Sequence, residues 1–133
     1  MKTHNRPRST QAGVTLIEMM VVVIIISLFA VLVGPKLFQQ VDKARATKAV
    51  VEINNFEGAL VQFHADHGVF PTQEEGLEAL RPYLKKFDVL DPWKHPYVYR
   101  YPGEHGEEPD IVSYGADGQP GGEGMNADIV NWR

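Results

Sequence analysis

The chain has no cysteine among its 133 residues. It therefore builds no disulfide framework and no thiolate metal site, and it carries no thiol nucleophile. Its few serines form no nucleophile elbow, and no glycine-rich phosphate loop follows a strand-like run. Positive charge is not in surplus either: 13 lysines and arginines stand against 17 acids, a net charge of −4. No basic patch interleaves with aromatics, which argues against nucleic acid as a partner. The length allows one domain with appendages rather than two. No constellation for catalysis remains, and the sequence reads as a non-enzyme.

What the chain does have is one long apolar run. From Val14 to Val33 there are 20 residues, and only Thr15, Glu18 and Ser27 are not apolar. As a helix the run is roughly 30 Å long, the thickness of a bilayer's hydrocarbon core. A soluble domain of this size has little use for such a run, so it reads as a transmembrane helix. Glu18 is its informative residue. A carboxylate at mid-membrane costs about 2.5 to 3.5 kcal/mol and calls for a partner. The plainer alternative is a Glu snorkelling near the helix start, but apolar residues lie on both sides of it. Before the run, Met1 to Ala12 carries Lys2, Arg6 and Arg8 and no acid. A secretory signal would have a shorter apolar stretch followed by an A-x-A-like cleavage site. Here the small residue, Gly13, precedes the run, and Val33-Gly34-Pro35 closes it. Because Lys36, Lys43, Arg45 and Lys48 lie beyond it, charge alone leaves the membrane orientation open.

Gly13 followed by Val-Thr-Leu-Ile-Glu resembles the type III signal of type IV pilins and pseudopilins. The resemblance implies that a prepilin peptidase cuts after Gly13, removing residues 1–13 as a leader, and that the new terminus at Val14 is N-methylated. The usual residue after the glycine is Phe, a mild departure because the methylated group is the backbone amine. Without Lys2, Arg6 and Arg8 the chain keeps 10 basic residues against 17 acidic, a net charge of −7. Glu18 becomes the fifth residue of the mature chain. The resemblance implies that its carboxylate neutralises the N-terminal amine of a neighbouring subunit, so that packing cancels two charges that are each costly in lipid. It further implies a leader in the cytoplasm and the remainder outside. Pilin-like proteins share a proline at the place of Pro35, where the lost hydrogen bond kinks or loosens the stem. The expected organisation is a leader over 1–13, a transmembrane helix over 14–35, an amphipathic continuation over 36–66 and a globular part over 67–133.

Beyond Pro35 the helical pattern continues. Ala49, Ile53, Phe56, Leu60 and Phe63 succeed one another at steps of four, three, four and three, which is one face of a helix. Lys43, Arg45, Lys48, Glu52 and Asn55 lie on its polar face. Gly68 is the expected C-terminal cap. Thr72 and Glu75 then form a capping box ahead of a short helix with Leu77, Leu80 and Leu84 facing inward and Pro82 near its end. His64 and His67 have a zinc-like spacing, but no third ligand accompanies them. From Asp91 the pattern turns to strands: Tyr97, Tyr99 and Tyr101 alternate with Val98 and Arg100, and "DIVSY" and "DIVNW" give two more. The expected fold class is α+β, type IV pilin-like, with a long helix packed on a short helix and a small three-stranded antiparallel sheet.

The stretch "SYGADGQPGGEGMNADIVNW", with "PTQEEGLEAL" and "DPW" before it, resembles the major pseudopilins of the type II secretion system. Lys94 departs where that family usually has Gly after "DPW", and Val130 where Gly precedes "NW". On its residues alone, the glycine-rich loop with Asp117, Glu123, Asn126 and Asp128 reads as a flexible acidic surface loop. With the resemblance it reads as a calcium site, since a hard cation collecting carboxylates and carbonyls would fix a loop with little order of its own. Asp117 and Asp128 match family ligand positions. Relatives can carry a second acid where this chain has Ala127, so Glu123 or Asn126 would substitute, and the carbonyls of Tyr114 and Gln119 are further candidates. The loop is not an EF-hand. The resemblance implies a helical homo-oligomeric filament in the periplasm that drives export across the outer membrane. Its implied partners are minor pseudopilins, an inner-membrane assembly platform and the membrane itself. Two alternatives are the major subunit of an extracellular type IV pilus and a signal-anchored periplasmic binding module.

Replacing Gly13 by a bulky residue is expected to leave the basic leader attached and the subunit stranded in the membrane. Intact-mass measurement checks this, and mature-sized protein from that variant would sink the type III signal assignment.

Overall fold

The computed structural model describes residues 13–132. The basic leader positions expected at Lys2, Arg6 and Arg8 lie outside the described residues. The chain divides into two compact units between Phe38 and Gln39. One helix, α1 (Leu16–His67), contributes to both, with Pro35 inside it.

In the first unit α1 is apolar on all sides, and none of its most apolar window is buried. It is long and apolar enough to cross a membrane by length and composition. Leu16, Ile24, Ile26, Phe29 and Val31 each expose more than 60% of their surface. A helix that is hydrophobic all round must be covered by lipid or by other helices.

The second unit is built on the other half of α1. The residues expected on its inner face, Ala49, Ile53, Phe56, Leu60 and Phe63, are all buried, and Ala59 joins them. The helix ends where the glycine allows it. Gly68 has φ +75°, and its N–H donates to the His64 carbonyl at 2.8 Å. The two histidines of the last turn pack on rings rather than converge on a metal. His67 stacks on Phe63 at 4.2 Å and His64 lies against Phe70 at 4.5 Å.

The capping box forms as the sequence suggests: Thr72 N–H donates to Glu75 Oε2 at 2.8 Å, and Glu75 N–H to Thr72 Oγ1 at 3.3 Å. The bonds from the Thr72 backbone, then its hydroxyl, hold the Glu75 carboxyl below its ordinary pKa. The next segment, Gly76–Tyr83, winds as a 3-10 helix rather than an α-helix. Eight residues with a proline in the last turn have little room for i→i−4 bonds, and the tighter winding needs fewer of them. Leu77 and Leu80 are buried and Leu84 is half-buried.

The sheet is β1 (Val98–Arg100), β2 (Asp110–Ser113) and β3 (Ile129–Val130), antiparallel throughout and in the order β1-β2-β3. Tyr97 and Tyr99 point into the core, and Ile111 on β2 is fully buried. The Tyr97 ring meets Phe56 edge-on at 5.3 Å, while its hydroxyl donates to Glu52 Oε2 at 2.7 Å. Burial, reinforced by the Glu52 carboxylate, pushes the Tyr97 phenol above its usual range. Tyr99 donates to the Pro71 carbonyl at 2.7 Å and is likewise raised by burial. These tyrosines join the sheet to α1 and to the segment after it.

The turn before β1 hangs on one acid. Asp91 is 1% exposed, and its Oδ1 accepts the N–H groups of Trp93 and His95 at 2.9 Å each. Its Oδ2 accepts the Ser113 hydroxyl at 2.6 Å. Within this turn Lys94 has φ +74°, the one described non-glycine residue in the left-handed region. The turn thus keeps the conformation suited to glycine although lysine stands there. A left-handed residue with a Cβ is strained by about 1–2 kcal/mol, partly offset by the extra chain entropy glycine loses on folding. Lys94→Gly is therefore expected to stabilise the protein by about 0.5–1 kcal/mol. Denaturant unfolding checks this, and a lower midpoint for the variant would show that the turn bears no strain.

Candidate assembly and metal-binding sites

The start of α1 is closed by its own side chains. Thr15 N–H donates to Glu18 Oε2 at 3.0 Å, the Thr15 hydroxyl donates to the same oxygen at 3.2 Å, and Glu18 N–H donates to Thr15 Oγ1 at 3.3 Å. This reciprocal arrangement is a capping box, and it satisfies two of the helix's unpaired N–H groups. Sequence reasoning singled out Glu18 but missed Thr15, although Thr-x-x-Glu ahead of an apolar run is the signature of such a cap. Val14, one residue before the cap, is 70% exposed, and the space around Gly13 is open. A carboxylate held in this way sits beside the expected cleavage point. Pro35, expected as a kink, lies within the continuous span of α1.

The C-terminal loop is folded back on itself by glycines. At Gly115 (φ +66°) a Cβ would lie 2.8 Å from the Met125 carbonyl oxygen and 2.9 Å from that of Ala127. At Gly122 (φ +90°) it would lie 2.5 Å from the carbonyl oxygen of Asn126. Only glycine permits these approaches. Ala116 N–H donates to the Met125 carbonyl at 3.0 Å, and a single 3-10 turn, Gly124–Asn126, carries the chain round.

The candidate ligands differ in their surroundings. Asp128 Oδ2 accepts the Gly121 N–H at 2.9 Å, while its Oδ1 is buried and has no hydrogen-bond partner. An orphaned carboxylate oxygen of this kind is costly unless a cation or a donor meets it. Asp117 Oδ1 accepts the Gln119 N–H at 3.1 Å, which bends the chain at the Gln119 position. Glu123 and Asn126 are exposed, and the Glu123 carbonyl accepts the Asn126 N–H at 3.1 Å. The Tyr114 hydroxyl accepts from Arg100 Nη2 at 3.3 Å. Among the described residues, no three His, Cys, Asp or Glu side chains gather as a metal cluster. The loop's candidate donors are carboxylate, amide and carbonyl oxygens, and its acids are not gathered into a cage. Such mixed oxygen donors suit calcium.

Comparison with known proteins places this geometry. Residues 36–132 match the family described as Type II secretion system (T2SS), protein G, and residues 8–34 match the prokaryotic N-terminal methylation motif. The chain is 43% identical to the type II secretion system core protein G of Vibrio cholerae, over 92% of this chain and 92% of that protein. It is 41% identical to the core protein G of Pseudomonas aeruginosa, over 94% and 97% of the two chains. Among solved structures it is similar to the major pseudopilin from the type 2 secretion system of enterohaemorrhagic Escherichia coli. There the TM-score is 0.58 at 32% identity, covering 74% of this chain and 95% of that one. The long apolar helix, the short helix, the three-stranded antiparallel sheet and the methylation motif thus have one explanation: the chain belongs to the protein G family of the type II secretion system, the major pseudopilins.

Proposed function

We propose that this pseudopilin is cut after Gly13 and methylated at Val14, and then held in the inner membrane with residues 14–35 in lipid and the globular part in the periplasm. From there it polymerises into a helical periplasmic filament that drives protein export across the outer membrane. A prepilin peptidase, minor pseudopilins and an inner-membrane assembly platform are the partners. Heterologous contacts that do not close into a ring generate such a filament. The observation that carries the reading is the uncovered apolar half of α1 with a single, self-capped carboxylate at its start. Lipid can cover that surface in the monomer, and neighbouring helices can cover it in the filament.

Glu18→Val tests the assembly step. The change removes a charge worth about 2.5–3.5 kcal/mol against insertion, so membrane integration is expected to be as good as in the parent or better. Filament formation is expected to fall sharply, because the neighbouring Val14 amine loses its counter-charge. Electron microscopy of sheared filaments checks this, and parental filament yield from Glu18→Val would end the pairing idea.

The same reading gives the C-terminal loop a calcium ion. Asp128 and Asp117 would bind through carboxylate oxygens, with Glu123 or Asn126 and the carbonyls of Tyr114 and Gln119 completing the shell. The buried, unpartnered Oδ1 of Asp128 supports it. When bound, the ion neutralises the acids and orders the loop; magnesium fits less well, since it demands near-octahedral geometry. The chain has no disulfide to do this work. A ligand that binds only the folded state stabilises it by about 2.7 kcal/mol at 100 times its Kd. Calcium is therefore expected to raise the melting temperature of the protein in detergent. Asp117→Ala or Asp128→Ala should each remove most of that gain, and Glu123→Ala or Asn126→Ala part of it. Superimposable melting curves in calcium and in chelator would return the loop to a plain acidic turn.

A further inference from the structure

The 91–95 turn and the C-terminal loop meet at one side chain, His95. Its main chain is pinned on both sides: the N–H donates to Asp91 Oδ1 at 2.9 Å and the carbonyl accepts the Asp91 N–H at 2.7 Å. The ring is thereby aimed at the loop. Nδ1 lies 3.1 Å from the Gly115 carbonyl oxygen. A carbonyl only accepts, so Nδ1 carries the hydrogen of this bond. The face of the ring covers Gly118, where a Cβ would come within 3.1–3.2 Å of three ring atoms. Gly118 is also left-handed at φ +65°, so both its conformation and its neighbour require glycine. The other polar group of Gly115 is held from the same side, its N–H donating at 3.3 Å to Ser113 Oγ, the hydroxyl bound by Asp91.

We propose that His95 is a positioning residue for the C-terminal loop, latching Gly115 and Gly118 to the 91–95 turn and so setting the loop's affinity for a cation. Gly115 comes directly after Tyr114, and Gly118 lies between Asp117 and Gln119. Three of the candidate ligands are therefore neighbours in the chain of the two residues that His95 holds. The ring need touch no ion to do this. A loop with several glycines loses much entropy on ordering, and a group that orders it in advance lowers the cost of binding.

The affinity readout rests on the calcium reading of the loop, and the experiment separates the two. Calcium binding is measured by titration calorimetry on the full chain in detergent, for the parent, His95→Ala and His95→Asn. Outer-shell changes typically cost about 10–100-fold in metal affinity. His95→Ala is expected to weaken calcium binding about tenfold or more, with a much smaller change in the melting temperature measured in chelator. The Asn amide nitrogen can occupy the place of Nδ1, so His95→Asn is expected to recover part of the loss. Affinity within about twofold of the parent for His95→Ala, or an equal loss of melting temperature with and without calcium, would overturn the proposal. If the parent itself binds no calcium, the calcium reading fails and amide hydrogen exchange decides the latch. Faster exchange in His95→Ala confined to residues 115–128, with residues 49–63 unchanged, supports it, and unchanged exchange in the loop overturns it.

Discussion

A buried carboxylate is costly unless donors meet its oxygens, and the Asp91 side chain is a place where this globular part meets that constraint. Removing a charge from water costs several kcal/mol, so both of its oxygens need donors. Asp91 takes two backbone N–H groups from its own turn and the hydroxyl of Ser113 from β2. The turn and the central strand are fixed to each other by that exchange. Leaving a buried donor unsatisfied costs about 1–3 kcal/mol, so the three bonds stand or fall with the one side chain. Lys94 can hold an unfavourable φ because the residues on either side of it are bound to Asp91.

The sheet also needs such help because its strands are so short. β3 has two residues, and a ladder of that length would leave β2 partly unpaired. Asn131 extends it with a side chain: Oδ1 accepts the Ile111 N–H at 2.7 Å, and Nδ2 donates to the Pro109 carbonyl at 2.9 Å. On the outer edge, Gln73 does the same for β1, donating to the Tyr99 carbonyl at 2.7 Å and accepting the Tyr101 N–H at 2.9 Å. Two primary amides thus stand in for strand residues. They also occupy backbone groups that an edge strand would otherwise offer to another chain.

These contacts mark the boundary of what the sequence discloses. The buried stripe of α1, the Gly68 cap, the Thr72–Glu75 box and the alternation around Tyr99 are local patterns, with partners two to four residues apart. They are legible because helix and strand periods are short. The Asp91–Ser113 bond spans 22 residues, and the Gln73–Tyr99 bond 26. Nothing in the neighbourhood of Asp91 or Gln73 announces those partners. The short helix departs from its expected winding for a related reason. Its apolar spacing fits either winding, and the choice is made by Pro82 and the limited length. At the loop, the residue types suggested oxygen donors, but only the fold distinguishes the orphaned oxygen of Asp128 from the exposed side chain of Glu123.

The apolar half of α1 faces two demands that conflict at Glu18. Lipid disfavours a charge, whereas the proposed pairing with a neighbouring amine requires one. The capping box offers a physical reconciliation. Two donors from Thr15 already meet the carboxylate oxygen, so the charge is partly satisfied before any partner arrives. Those donors belong to the first turn of a helix, where the macrodipole itself favours negative charge, by about 0.3–1 kcal/mol at exposed sites. An acid placed here is therefore met by more donors than one further along the run, where the backbone N–H groups are already paired within the helix. The Thr15 N–H that it accepts is one residue from Val14, the residue whose amine the proposed cleavage after Gly13 would free. A new positive charge would thus arise beside a carboxylate already oriented toward that end of the helix. If the proposed pairing holds, Thr15 would serve it by fixing the Glu18 carboxylate at the start of the helix, and the position of the acid, three residues past the threonine, is set by the geometry of the helix turn.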